Sequence, residues 1–404
     1  MTSFAVFRDG PFRMYLASRF LSGAAMMLLR AAVAWHVNAL SPREDAAFNL
    51  GALGLAQFVP VMFISLFAGA VADVFDRRRL IQLAQLVPLL CSLTLFAATW
   101  SGNASLPLLF GLIVVAAIAG VFESPARASI LPQLVAREDF PRAVTIMSTV
   151  IWLAFASGPV LMGFAAAEGG LEAPYALHAS LVIASLLSLT QLPPLPPTGG
   201  ARVTWAAIRE GLLFVWRSPV VLGCMTLDMF AVILGGATAL LPIYAEQILH
   251  VGAKGFGLLS SALETGALAM SLLLIFLPTV RRVGPVLLCA VAVYGVATIA
   301  FGLSTWFPMS VVTYALVGMA DAVSVVLRAT VIQLATPDAL RGRVSSVNFI
   351  FIGASNQLGA AESGFLASLT SAPFAVVSGG LGCLLVVALV GWRMPALRRY
   401  QIGA

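Results

Sequence analysis

Nearly the whole chain consists of apolar runs long enough to cross a membrane, and this limits what it can fold into. The runs lie at 12–40, 50–72, 80–100, 106–126, 144–166, 174–192, 219–249, 256–279, 285–306, 308–328, 345–368 and 373–392. A helix needs about 20 apolar residues to cross the hydrocarbon core, where each backbone N–H and C=O must be satisfied within the segment. Twelve transmembrane helices in an all-α integral membrane protein are therefore predicted. Only 10% of the residues are charged and 60% are hydrophobic, whereas soluble domains carry roughly a quarter charged residues.

Arg and Lys set the orientation. With the N-terminus in the cytoplasm, 19 of the 23 basic residues fall on the inner side; Arg43 and Lys254 lie outside, and Arg19 and Arg30 lie within the first span. Cytoplasmic loops of membrane proteins are enriched in Lys and Arg, so both termini are placed in the cytoplasm. The net charge of +6 does not indicate a nucleic-acid partner, because these residues sit in membrane loops and form no soluble basic face. Cys91, Cys224, Cys289 and Cys383 fall in apolar runs without a Cys-x-x-Cys pair, and are read as buried small hydrophobes with no disulfide or metal. The first apolar stretch is too long for a cleavable signal peptide and leads into a second span. Lys254, the only lysine, follows no Gly-rich phosphate loop, and no His-Glu-x-x-His or Gly-x-Ser-x-Gly occurs. Neither an enzyme nor a cofactor is expected.

The longest break between spans, 193–217, opens with Pro193-Pro194-Leu195-Pro196-Pro197-Thr198-Gly199-Gly200, which cannot continue a helix. Trp205 to Trp216 then places Arg209 among apolar residues, as in a short interfacial helix, with Arg217 directly after it. Gln133-Leu134 and Val144 recur 200 residues later as Gln333-Leu334 and Val344, and Arg78-Arg79 recur 203 residues later as Arg281-Arg282. The expected organisation is a six-helix bundle at 1–192, a cytoplasmic linker at 193–217 and a second six-helix bundle at 218–404.

Spans 3, 6, 9 and 12 contain no Asp, Glu, Lys or Arg and are read as peripheral. The intramembrane charges include Arg19 and Arg30 on span 1, Glu123 on span 4, Asp228 on span 7, Glu264 on span 8, Asp321 on span 10 and Glu362 on span 11. A charge in hydrocarbon costs roughly 3 kcal/mol on insertion scales, so these groups should face a cavity or one another. Asp228 and Glu264 each sit about ten residues into adjacent antiparallel spans, near the midplane by helix rise. With Asp321 and Glu362 they are the proton-carrying candidates, because an apolar surround and a neighbouring acid favour a protonated carboxyl. Structural pairing with Arg30 or a serine is the competing reading. Asp321 and Arg328 are seven apart on one helical face, an alternative internal pair. His36 and His178 are read as satisfied histidines rather than ligands. Met26, Met27, Met225, Met229 and Met319 lie with Arg30 on presumed cavity helices, where flexible thioethers suit a variable apolar substrate; packing filler explains them equally well.

Span 2 ends with Asp73 at the membrane edge, followed by Arg77, Arg78 and Arg79. Arginines after a membrane helix favour the cytoplasmic side and suit the negative end of its dipole. Span 5 contains Gly158-Pro159-Val160-Leu161-Met162-Gly163, where proline bends the helix and glycine allows close backbone approach.

The stretch from Gly69 through Asp73, Asp76, Arg77 and Arg78 resembles the loop between helices 2 and 3 of the major facilitator superfamily, with Val74 where an Arg is usual. Span 5 resembles the helix-5 motif of that superfamily's antiporters, with Phe164 in place of a second Gly. More closely, the chain resembles the branch of the enterobactin (siderophore) exporter and related multidrug effluxers. The residues concerned are Ala72-Asp73-Val74-Phe75-Asp76-Arg77-Arg78, Leu131-Pro132-Gln133-Leu134-Val135-Ala136-Arg137-Glu138, Arg217-Ser218-Pro219 and Thr336-Pro337-Asp338-Ala339-Leu340-Arg341-Gly342-Arg343-Val344. The resemblance implies the major facilitator fold and a gating contact of Asp73 with Arg127 and the backbone near Ser345 and Ser346. It also implies export of a lipophilic or amphipathic small molecule, drug- or siderophore-like, by proton antiport and alternating access. The alternative is a facilitator or importer of a lipid or nutrient on the same fold. The expected partners are the lipid bilayer, the substrate and protons, with the chain a monomer.

Overall fold

The computed structural model describes residues 10–401 except 137, 197–204, 279, 338 and 339, and omits the side chains at 60, 65–74, 128, 205–208, 346 and 349. Among the described residues there is no strand. The long helices are α1 (Gly10–Leu40), α2 (Ala46–Val74), α3 (Arg77–Trp100), α4 (Leu106–Ala128), α5 (Phe140–Gly169) and α6 (Ala173–Thr190). After a linker helix at Trp205–Arg217 come α7 (Pro219–Gly235), α8 (Gly252–Phe276), α9 (Val283–Leu303), α10 (Phe307–Ala335), α11 (Arg341–Leu369) and α12 (Ala372–Arg393). Helices α4, α5, α6, α7, α10 and α12 open with a proline in the first two positions, where its missing N–H leaves no helix bond unmade. Gly170, at φ 80°, ends α5 in a backbone region that only glycine enters freely.

Among the described residues eleven helices are long and apolar enough to cross a membrane, α7 being counted with its continuation to Ile248. The exception, α11, has ample length but carries Asn348, Ser355, Asn356 and Gln357 along its middle. Span 7 is not one regular helix. After Gly235 it passes through a 3-10 turn (Ala237–Leu240), a short α turn (Leu241–Ile243) and a π turn (Tyr244–Ile248). Gly235-Gly236 and Pro242 account for the break. A Cβ on Gly235 would stand 2.5 Å from the Tyr294 ring on α9, so the glycine is also a packing requirement.

Two expectations are corrected. Arg77, Arg78 and Arg79 form the first turn of α3, the positive end of that helix, and do not extend α2. Asp76 offsets this as the N-cap, its Oδ1 accepting from the Arg79 N–H at 2.9 Å. Cys289 lies on an exposed face of α9, whereas Cys91, Cys224 and Cys383 are buried; all four are free thiols.

The chain divides into two compact units. Unit 1 holds Met1–Ser41, Val59–Arg202 and Val251–Ser261. Its core is built by Phe12, Tyr15, Ile81, Ala126, Ile130 and Leu189. The start of α8 packs here on α5: a Cβ on Gly163 would stand 2.6 Å from the Ala253 carbonyl, and Lys254 Nζ reaches Glu168 Oε1 at 2.7 Å. Unit 2 holds Pro42–Phe58, Val203–His250 and Ala262–Ala404, with Cys224, Leu227, Val291, Val331, Val347 and Cys383 at its core. The start of α2 packs here on α11, where a Cβ on Gly54 would stand 2.9 Å from the Ala360 Cβ. Without a hydrophobic drive between helices in lipid, such close backbone approach supplies the packing that holds them together.

Candidate functional site

In unit 2, α7, α9 and α10 enclose a cavity of about 10 Å³ lined by Asp228, Ala231, Val232, Val291, Tyr294, Asp321 and Ser324, which is room for about one water. Asp228 is 8% and Arg328 4% exposed, and the two form an ion pair. Asp321, Ser324 and Arg328 stand at i, i+3 and i+7 on α10 and so share a face. Arg328 nevertheless pairs with Asp228, and the alternative Asp321–Arg328 pair is not found among the described residues. Among the described residues no hydrogen bond or ion pair reaches Asp321. Tyr294 faces the cavity with its Oη donating to the Gly235 carbonyl at 3.2 Å.

Glu264 does not line this cavity. Glu362, half-buried on α11, accepts from Ser363 Oγ at 3.2 Å. The methionines divide: Met26 is 39% exposed on α1, and Met27, Met229 and Met319 are half-buried. Met225 departs from the cavity reading because it is 2% exposed within the unit 2 core. Arg30 occupies an exposed face of α1.

Unit 1 treats its acid differently. Glu123 ion-pairs with Arg127 one turn away, and Gln85 Nε2 donates to its Oε1 at 3.0 Å. Gln85 Oε1 accepts from Ser185 Oγ at 3.1 Å, and Ser185 and Ser18 share a hydrogen bond at 2.9 Å. Tyr15 Oη donates to the Arg127 carbonyl at 2.8 Å. This network fastens α1, α3, α4 and α6. Breaking a buried pair by removing one partner costs roughly 3–5 kcal/mol. Glu123→Gln is thus expected to lower thermal stability in detergent by several degrees, with Glu123→Asp retaining more; equal melting of all three proteins would contradict a structural role.

The loop residues belong to this scaffold as well. Asp76 Oδ2 accepts from the Leu195 N–H at 2.8 Å, the Arg77 N–H donates to the Leu195 carbonyl at 3.1 Å, and Arg78 donates to the Leu192 carbonyl. They tie the start of α3 to the segment after α6. The gating expectations for Gly69 and for the Asp73 and Ser346 side chains lie outside the described residues. On α5, Gly158 and Pro159 are buried, and a Cβ on Gly158 would stand 2.6 Å from the Ala24 carbonyl and 2.8 Å from the Leu28 nitrogen on α1. His36 shares a hydrogen bond with Tyr175 Oη at 2.9 Å, and His178 with Ser92 Oγ at 2.6 Å, as expected of satisfied histidines.

Residues 1–401 match the family described as transmembrane secretion effector. The chain belongs to that family, within the major facilitator superfamily. It is a multi-pass membrane transporter and not an enzyme. The enterobactin exporter EntS of Escherichia coli is 27% identical over 395 residues, covering 96% of this chain and 93% of that one. The EntS protein of Escherichia fergusonii gives the same figures. Among solved structures, a D-xylose-proton symporter superposes with a TM-score of 0.74 at 14% identity over 97% of this transporter and 99% of that chain. A peptide transporter in complex with alafosfalin superposes with a TM-score of 0.75 at 14% identity over 100% of both. The expected all-α major facilitator fold is found. The ion pair of Asp228 with Arg328 is the site feature that sequence reasoning missed, and its only signal was that both are charged residues on cavity helices.

Proposed function

We propose that this transporter exports a lipophilic or amphipathic small molecule, siderophore- or drug-like, in exchange for protons across a bacterial cytoplasmic membrane, with both termini inside. Similarity to enterobactin exporters along almost the full chain supports export. The observation that carries proton coupling is Asp321: a carboxyl group that no hydrogen bond or ion pair reaches among the described residues, lining a water-sized cavity that it shares with Asp228. An ionised carboxylate in that position is costly, whereas the protonated acid is not. Two six-helix halves, divided at the 193–217 linker, rock around a midplane path in this reading. Asp73 then serves as an inner latch to Arg127, whose two Nη atoms are buried without an acceptor among the described residues.

The test uses purified protein in liposomes with an imposed pH gradient and a trapped pH dye. Catechol siderophores, lipophilic cations and lysolipids are added singly. Substrate-dependent proton flux opposite to substrate movement supports antiport. Substrate movement without proton flux makes the protein a facilitator and sinks the coupling. Flux of both in the same direction makes it a symporting importer.

A further inference from the structure

We propose that Arg328 has two carboxylate partners, Asp228 and Asp321, and passes from the first to the second as a proton passes from Asp321 to Asp228. This deepens the antiport reading and names the step at its acid site. In the arrangement present, Asp228 carries the negative charge beside Arg328, and Asp321 is the neutral acid. In the other arrangement Asp228 holds the proton and Asp321 is the carboxylate beside Arg328. One proton crosses the cavity between two of its lining residues, no bond to carbon changes, and the net charge of the cluster is zero in both arrangements.

Three features of α10 make the exchange feasible. Asp321 and Arg328 are on one face about 10 Å apart along the axis by helix rise. Helical side chains lean toward the N-terminus, so the long Arg328 side chain reaches back toward Asp321. Ser324, 5% exposed, lies between them and lines the same cavity. The other ionisable groups nearby are Cys224 beside Arg328, Tyr294 near Asp321, Cys383 and Tyr314 near Tyr294, and Glu264 of α8 near Tyr314. Between Arg343 and Glu362, α11 contributes no charged residue. Asp228 and Asp321 are the two carboxylates among the residues that line the cavity. With both termini cytoplasmic, α10 runs inward and Asp321 lies on the outer side of Arg328, so this proton step is directed inward.

The test is infrared spectroscopy of substrate-free protein in nanodiscs at neutral pH, reading the C=O stretch of protonated carboxyl groups. A component of that band is expected in the wild type and lost in Asp321→Asn. The same component is expected to vanish in Asp228→Asn, because Arg328 turns to Asp321 and ionises it. It is expected to return in the double variant Asp228→Asn/Arg328→Gln, where no cation remains. Persistence of the component in Asp228→Asn overturns the exchange, as does its absence from the wild type. If Asp228→Asn does not purify, carbodiimide modification in native membranes, mapped by mass spectrometry, gives the same comparison: Asp321 labelled in the wild type and the double variant, unlabelled in Asp228→Asn. A protein that carries no protons in liposomes overturns antiport and leaves this result standing. Labelling that ignores Asp228 overturns the exchange whatever liposomes show.

Discussion

Arg328→Gln is expected to destabilise the transporter by about 3–5 kcal/mol, the cost of leaving a buried charge without its partner. Asp228 is 8% exposed and has no other cation in the cluster, so it must either ionise alone or take up a proton. The double variant Asp228→Asn/Arg328→Gln is expected to recover most of the loss, since removing both charges also removes the desolvation penalty of both. Asp228→Asn alone should be milder than Arg328→Gln, because Arg328 retains Asp321 within reach. Thermal unfolding of the three variants in the same detergent reads the ranking. A single Arg328→Gln protein that melts with the wild type shows the pair to be solvated and worth little.

Gly158→Leu is expected to have the second large effect. The nearest atoms to a Cβ at this position are the Ala24 carbonyl and Met27 Cβ, both at 2.6 Å, and the Leu28 nitrogen at 2.8 Å. Most of this obstruction is backbone, so no rotamer change relieves it and α1 must move away from α5. Overpacking of this kind typically costs 1–3 kcal/mol and more where backbone must shift. Low yield of folded protein and loss of transport are expected, with Gly158→Ala intermediate. Gly111→Leu on α4, where a Cβ meets nothing within 4 Å, is the matched control and should express normally. Equal behaviour of Gly158→Leu and Gly111→Leu would show that α1 and α5 do not cross closely at this point.

Much of this was legible in the sequence for simple reasons. Helices in lipid must be long and apolar, so hydropathy placed the spans, and the glycines of span 5 announced a close crossing because small residues are the way helices approach in a bilayer. Partner choice was not legible. The i, i+7 spacing of Asp321 and Arg328 puts them on one face, but which acid meets the guanidinium depends on how α7 packs against α10. Depth along the membrane, by which Asp228 and Glu264 look equivalent, does not say which face each presents; Asp321 shares the cavity with Asp228 and Glu264 does not. The choice between cavity and packing for Met225 was likewise left open, since its helix borders the presumed path while the residue packs in the core. Hydropathy also hid the start of α3, because its first turn is three arginines.

The central claim is that Asp321 links proton movement to substrate movement, and substrate counterflow tests it most directly. Wild-type and Asp321→Asn protein in liposomes are compared in two modes: uptake driven by an imposed pH gradient, and exchange of labelled for unlabelled substrate without a gradient. Asp321→Asn is predicted to exchange substrate at a rate near the wild type while losing gradient-driven accumulation. If accumulation survives in Asp321→Asn, proton coupling lies elsewhere and the account of this site is wrong.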